Sequence, residues 1–125
     1  MKKKSNVIMC MILSFLMVGM VAKAASTYES VTINKRKDSV ESDAVGTSKT
    51  AIYITSNNTT SSAGLAVKGY ARWVGFPYTL EYSETIRPGN TVGHRETQSK
   101  DSYFYTELVG DYKCNGEGSV ETEKW

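Results

Sequence analysis

Between positions 65 and 74 the chain changes character at every residue. Leu65, Val67, Gly69, Ala71 and Trp73 form one set, and Ala66, Lys68, Tyr70, Arg72 and Val74 the other. Apolar residues recurring at every second position describe a strand with one buried face, since on a helix they would scatter around the axis. The first set is the expected buried face. A second alternation follows the Gly75-Phe76-Pro77 break, with Tyr78, Leu80 and Tyr82 set against Thr79, Glu81 and Ser83. It ends at Arg87-Pro88-Gly89-Asn90, a turn signal.

Other segments read the same way. Residues 50–56, Thr-Ala-Ile-Tyr-Ile-Thr-Ser, are β-branched and aromatic and run into the turn-rich Asn57-Asn58-Thr59-Thr60-Ser61-Ser62, which also holds two overlapping glycosylation sequons. Residues 28–34 place Val31 and Ile33 on one face, while 103–109 and 119–125 give two more strands across a segment with Gly110, Asn115, Gly116 and Gly118. Residues 35–49, which carry Lys35-Arg36-Lys37 and several acidic and Ser positions, read as a mobile loop. Six to seven short strands between polar turns predict an all-β fold, a small antiparallel β-sandwich or barrel.

The first 24 residues follow a different logic. Met1-Lys2-Lys3-Lys4, an apolar run over 7–21 and Ala22-Lys23-Ala24 are the three parts of a cleavable export signal. The run is shorter than the roughly 20 residues of a membrane span, and Cys10 lies too early in it for a lipid attachment box. The expectation is a signal peptide over 1–24 and a single β domain over 25–125, secreted and extracellular, with no stable membrane span in the mature chain. All five Met then leave with the signal. Lys plus Arg falls from 15 to 11 against 13 Asp plus Glu, so the net charge turns from +2 to −2. A mildly acidic domain with interspersed charge offers no basic footprint for nucleic acid. Only Cys114 remains, so no internal disulfide can form. That absence in a small exported domain, with the Lys-rich start, points to a Gram-positive secretor.

The search for chemistry is mostly negative. His94 is the only His, which excludes a His-rich metal site, and neither a metal nor a cofactor is expected. A Cys114/His94 nucleophilic pair is formally available, but a turn histidine and an exposed, unpaired Cys fit the local sequence better. Glu121 and Glu123 would share one strand face, Glu81 and Glu84 would lie on opposite faces, and solvation explains all four. Asp38, Glu41 and Asp43 lack the glycine and closing Glu of a calcium loop. The chain is not expected to be an enzyme.

Two features could serve binding. Tyr70, Trp73, Phe76, Tyr78 and Tyr82 cluster around one strand-turn-strand, and exposed aromatic rings can stack on sugars or anchor a protein, although a core of Tyr and Trp is the plainer use. Lys35-Arg36-Lys37 could touch an anionic polymer or lipid headgroup, but its neighbour Asp38 fits a solvated loop.

With its cleavable signal, the segment Thr50-Ala-Ile-Tyr-Ile-Thr55, the late Ser102-Tyr-Phe-Tyr105 and the ending Gly118-Ser-Val-Glu-Thr-Glu-Lys-Trp125, the layout resembles small secreted β-rich proteins of Gram-positive bacteria. More distantly it is similar to lactococcin-type secreted bacteriocins, small β-sandwiches with an aromatic-rich final segment ending in Trp. The chain is longer than those, has almost no His, and lacks their aromatic- and Gly-rich opening. The resemblance covers layout only and assigns no residue a role. The expected function is a non-enzymatic interaction protein acting at the cell envelope or on an extracellular partner; the alternative is a bacteriocin-like antagonist. A monomer is expected, with a Cys114-linked dimer as its one ready route to association.

Overall fold

A computed structural model describes residues 26–123, so the signal segment and the terminal Trp125 lie outside the described residues. The alternating segments all become strands: β1 (Tyr28–Ile33), β2 (Ser39–Glu41), β3 (Val45–Asn57), β4 (Leu65–Trp73), β5 (Thr79–Ile86), β6 (Thr91–Val109) and β7 (Gly116–Glu123). There is no helix among the described residues, hence none long and apolar enough to cross a membrane. The strands form one antiparallel sheet in the order β1-β7-β3-β6-β4-β5, with β2 added to β6. It does not close into a barrel: β1 and β5 are unpaired edges.

The long strand β6 folds this sheet over. Its first part, Thr91 to Thr97, pairs with β3 alone, whereas Ser102 to Val109 pairs with β4 and keeps β3 only at Ser102 and Phe104. Between them the register jumps: β3 advances from Thr50 to Ser48 while β6 advances from Thr97 to Ser102, so residues 98–101 make a bend. Two leaves result, β1-β7-β3-β6 and β6-β4-β5, with their apolar faces together.

Two groups of buried side chains fill the space between them. One joins Ile33, Leu65, Val67, Ile86, Leu108 and Cys114, the other Val45, Ala51, Tyr53, Ala71, Phe104 and Val120, and Tyr82 packs against both. Burying each of the larger ones contributes about 1.5–3 kcal/mol. The Tyr53 hydroxyl donates to the Tyr70 carbonyl at 3.2 Å, tying β3 to β4 across the interior. Room for that ring comes from Gly69, where a methyl group would stand 2.7 Å from Tyr53 Cζ.

Several expectations change. Residues 35–49 are not one loop: they hold β2 and the start of β3. His94 lies inside β6 rather than in a turn. Cys114 is fully buried in the first core group, its thiol directed at the Ala63 and Gly64 carbonyls at 3.4 and 3.5 Å. A Cys114-linked dimer is therefore incompatible with the folded chain, because no second thiol can reach the sulfur. Neither does Cys114 partner His94, which instead pairs with Glu96.

Candidate binding cleft

At the Trp73 end the two leaves diverge. β5 and the first part of β6 belong to opposite leaves and do not hydrogen-bond, so their inward side chains frame a cleft of about 270 Å³. Ala71 and Thr79 contribute from the paired ends of β4 and β5, with Glu81 beyond them, while the rings of Trp73 and Phe76 form, with Pro77, an apolar wall and Gln98 lines it from β6. The turn after β4 builds that wall. The Phe76 amide donates to the Trp73 carbonyl at 3.0 Å, and Gly75 supplies the positive φ of 88° that closes the turn. Phe76 then meets Trp73 edge-on, at 5.7 Å and 84°, and stays 55% exposed.

The polar side is a chain of hydrogen bonds. Trp73 Nε1 donates to Gln98 Oε1 at 3.2 Å, and Gln98 Nε2 donates to Glu96 Oε2 at 3.0 Å. The other Glu96 oxygen lies 3.1 Å from His94 Nε2, an ion pair when the imidazole is protonated. The His94 ring stacks flat on Tyr82 at 3.9 Å, and the Tyr82 hydroxyl donates to Glu84 at 2.6 Å. His94, Glu96 and Gln98 alternate along β6 and so share its inward face. Each side chain is held by the next, which fixes the Gln98 amide at both ends.

A bulge in β5 places the acidic residue. Gly69 pairs with Tyr82 and Tyr70 with Leu80, so Glu81 is an extra residue between them. The expected alternation of Tyr78, Leu80 and Tyr82 on one face therefore breaks: Leu80 turns outward, Tyr82 inward, and Glu81 lines the cleft. Glu81 and Glu84 do not fall on opposite faces, since Glu84 pairs with the inward Val67. Thr79 donates its hydroxyl to Glu81.

The five aromatic residues singled out from sequence separate into three places. Trp73 and Phe76 wall the cleft; Tyr82 lies deeper, between Tyr53 and His94. Tyr70 and Tyr78 are on the outer face, where Tyr70 stacks on Tyr105 at 4.8 Å and Tyr78 meets it edge-on at 4.7 Å. There the Arg72 guanidinium lies 4.6 Å from the Tyr103 ring and 5.3 Å from that of Tyr78. Sequence reasoning missed Gln98, Glu81 and Pro77 as cleft residues, and Glu96 as the support of Gln98. The only signal was the two-residue spacing of His94, Glu96 and Gln98, hidden because all three are polar.

Burial pushes the phenols of Tyr53, Tyr82 and Tyr105 well above the ordinary tyrosine range, and those of Tyr70 and Tyr78 less far. Glu96 and Glu81 add to the effect at Tyr53, and Glu84 at Tyr82. These hydroxyls remain protonated donors at neutral pH. Among the described residues, no three His, Cys, Asp or Glu side chains gather closely enough to hold a metal.

No protein family and no curated protein matches the sequence. Among solved structures, the crystal structure of PirA aligns with a TM-score of 0.47 at 8% identity, covering 82% of this chain and 99% of that chain.

Proposed function

We propose that the chain is a secreted binding protein without chemistry of its own, which engages an envelope polymer or another extracellular molecule through the cleft beside Trp73. The observation that carries this reading is the cleft itself: an aromatic wall with Phe76 more than half exposed, facing polar groups already fixed in direction. Few convergent polar groups on an apolar lining are the usual make-up of a ligand site. A non-catalytic role is supported by Cys114, the one candidate thiol nucleophile, which is sealed in the core with its thiol held protonated by burial. Secretion is supported by the sequence of residues 1–24.

Retention of the secreted protein on isolated Gram-positive cell walls tests the reading. Trp73→Ala combined with Phe76→Ala should weaken retention about tenfold or more, since aromatic anchors dominate such contacts. Equal retention of the two proteins refutes the cleft. Growth inhibition of neighbouring bacteria by the purified protein, with no wall retention, would favour the lactococcin-type antagonist instead.

A further inference from the structure

Resting on that reading, we infer that the cleft takes one neutral hexopyranose unit of a glycan. Size is the first constraint: about 270 Å³, just under the roughly 300–1,000 Å³ of drug-sized pockets, is room for one ring-sized group, with the rest of a longer molecule left outside the cleft.

Charge is the second. Glu81 lines the cleft while the Arg72 guanidinium is turned to the outer face, so the charge presented here is acidic and opposes an anionic ligand. The Lys100 ammonium already lies 4.7 Å over the Trp73 ring, which spends that ring's attraction for cations and repels a cationic ligand. Glu96, held beside Gln98, opposes an anionic one.

The third constraint is the division of the walls. Trp73, Phe76 and Pro77 give an apolar surface against which the C–H face of a pyranose ring can lie. The same cleft is lined by Glu81, an acceptor, and by Gln98, whose amide is directed by Trp73 and Glu96. Ring hydroxyls are both donors and acceptors, so they match a cleft that offers both a carboxylate and an amide.

The test follows the amide spectrum of the isotope-labelled secreted protein, with Trp125→Phe identifying the Trp73 indole signal. The probes are methyl glucoside, galactoside, mannoside and N-acetylglucosaminide, with N-acetyltyrosinamide as the peptide mimic. At least one pyranoside should move the Trp73 indole and Gln98 side-chain signals saturably in the millimolar range. Trp73→Ala should abolish the response, Glu81→Gln should weaken it several-fold without disturbing the fold, and Tyr105→Ala on the outer face should leave it unchanged. Silence from every pyranoside overturns the sugar assignment, as does a response to N-acetyltyrosinamide alone. The cleft reading falls separately, if Trp73→Ala also leaves wall retention unchanged.

Discussion

Cys114 and Gly69 show how a single position is judged by what surrounds it. From its Lys113-Cys114-Asn115-Gly116 setting Cys114 reads as an exposed turn residue, for which Ser would be nearly neutral. In the fold it packs with Ile33, Leu65 and Leu108, and burial raises its thiol above the ordinary range. Cys114→Ser would place a hydroxyl in that apolar site, with the Ala63 carbonyl as partial compensation, and should cost about 1–2 kcal/mol in chemical denaturation. In the unchanged protein, an aromatic disulfide reagent should label the thiol only as fast as the chain opens. Rapid labelling under native conditions sinks the burial account. Gly69→Ala should cost about 1–3 kcal/mol by overpacking, because the new methyl meets the Tyr53 ring at 2.7 Å and that ring is pinned by its bond to the Tyr70 carbonyl. Combining it with Tyr53→Phe, which frees the ring, should recover part of the loss.

At the scale of the elements, one side chain fastens three strand ends. Asn57, 2% exposed at the end of β3, donates its amide to the Ala63 carbonyl at 3.1 Å and to the Ile86 carbonyl at 2.8 Å, linking the approach to β4 and the end of β5. Asn57→Ala removes the amide donor from both carbonyls, leaving Ala63 only its weak thiol partner, and should cost about 2–3 kcal/mol, measured by denaturant unfolding; an effect below about 0.5 kcal/mol contradicts the role given to it. Of the two sequon asparagines only Asn58 is exposed, its carbonyl oxygen accepting from the Thr60 amide. Much of the strand layout is legible in the sequence because the buried face of β4, Leu65 to Ala71, is apolar at every second residue. The first half of β6 is not legible for the same reason reversed. Its inward residues, His94, Glu96 and Gln98, are polar and form the hydrogen-bonded chain that ends at the cleft with Gln98, so period two carries no hydrophobic contrast there. The bulge at Glu81 is equally silent, since an inserted residue changes faces without changing composition. Both departures lie at the cleft, where local sequence and burial stop agreeing.

Across the whole molecule, Tyr53 lies in the dry interior while Tyr82, Tyr105, Tyr70 and Tyr78 are partly buried, and that makes stability depend on alkaline pH. The phenols of Tyr53, Tyr82, Tyr105, Tyr70 and Tyr78 and the thiol of Cys114 all titrate higher in the folded chain than in the unfolded one, with burial the leading cause throughout. Each is neutral when protonated, so a raised folded value means the unfolded chain releases its proton first. The contribution is fully present below the unfolded value and is lost as pH rises toward the folded one. Cys114 should begin this loss near the ordinary thiol value of about 8.5, and the tyrosines near about 10. For a fully buried group such as Tyr53 the slope is about 1.4 kcal/mol per pH unit, while the half-exposed Tyr82 and Tyr105 contribute less because solvent screens them. Unfolding free energy measured from pH 7 to 11 should therefore be level to about pH 8.5, bend downward there, and steepen above about 10. Cys114→Ala should remove the first bend and keep the second, and Tyr53→Phe should reduce the second and keep the first. A profile that stays level to pH 11, or rises, would falsify the assignment of Tyr53 and Cys114 to the dry interior and the partial burial of the other four phenols.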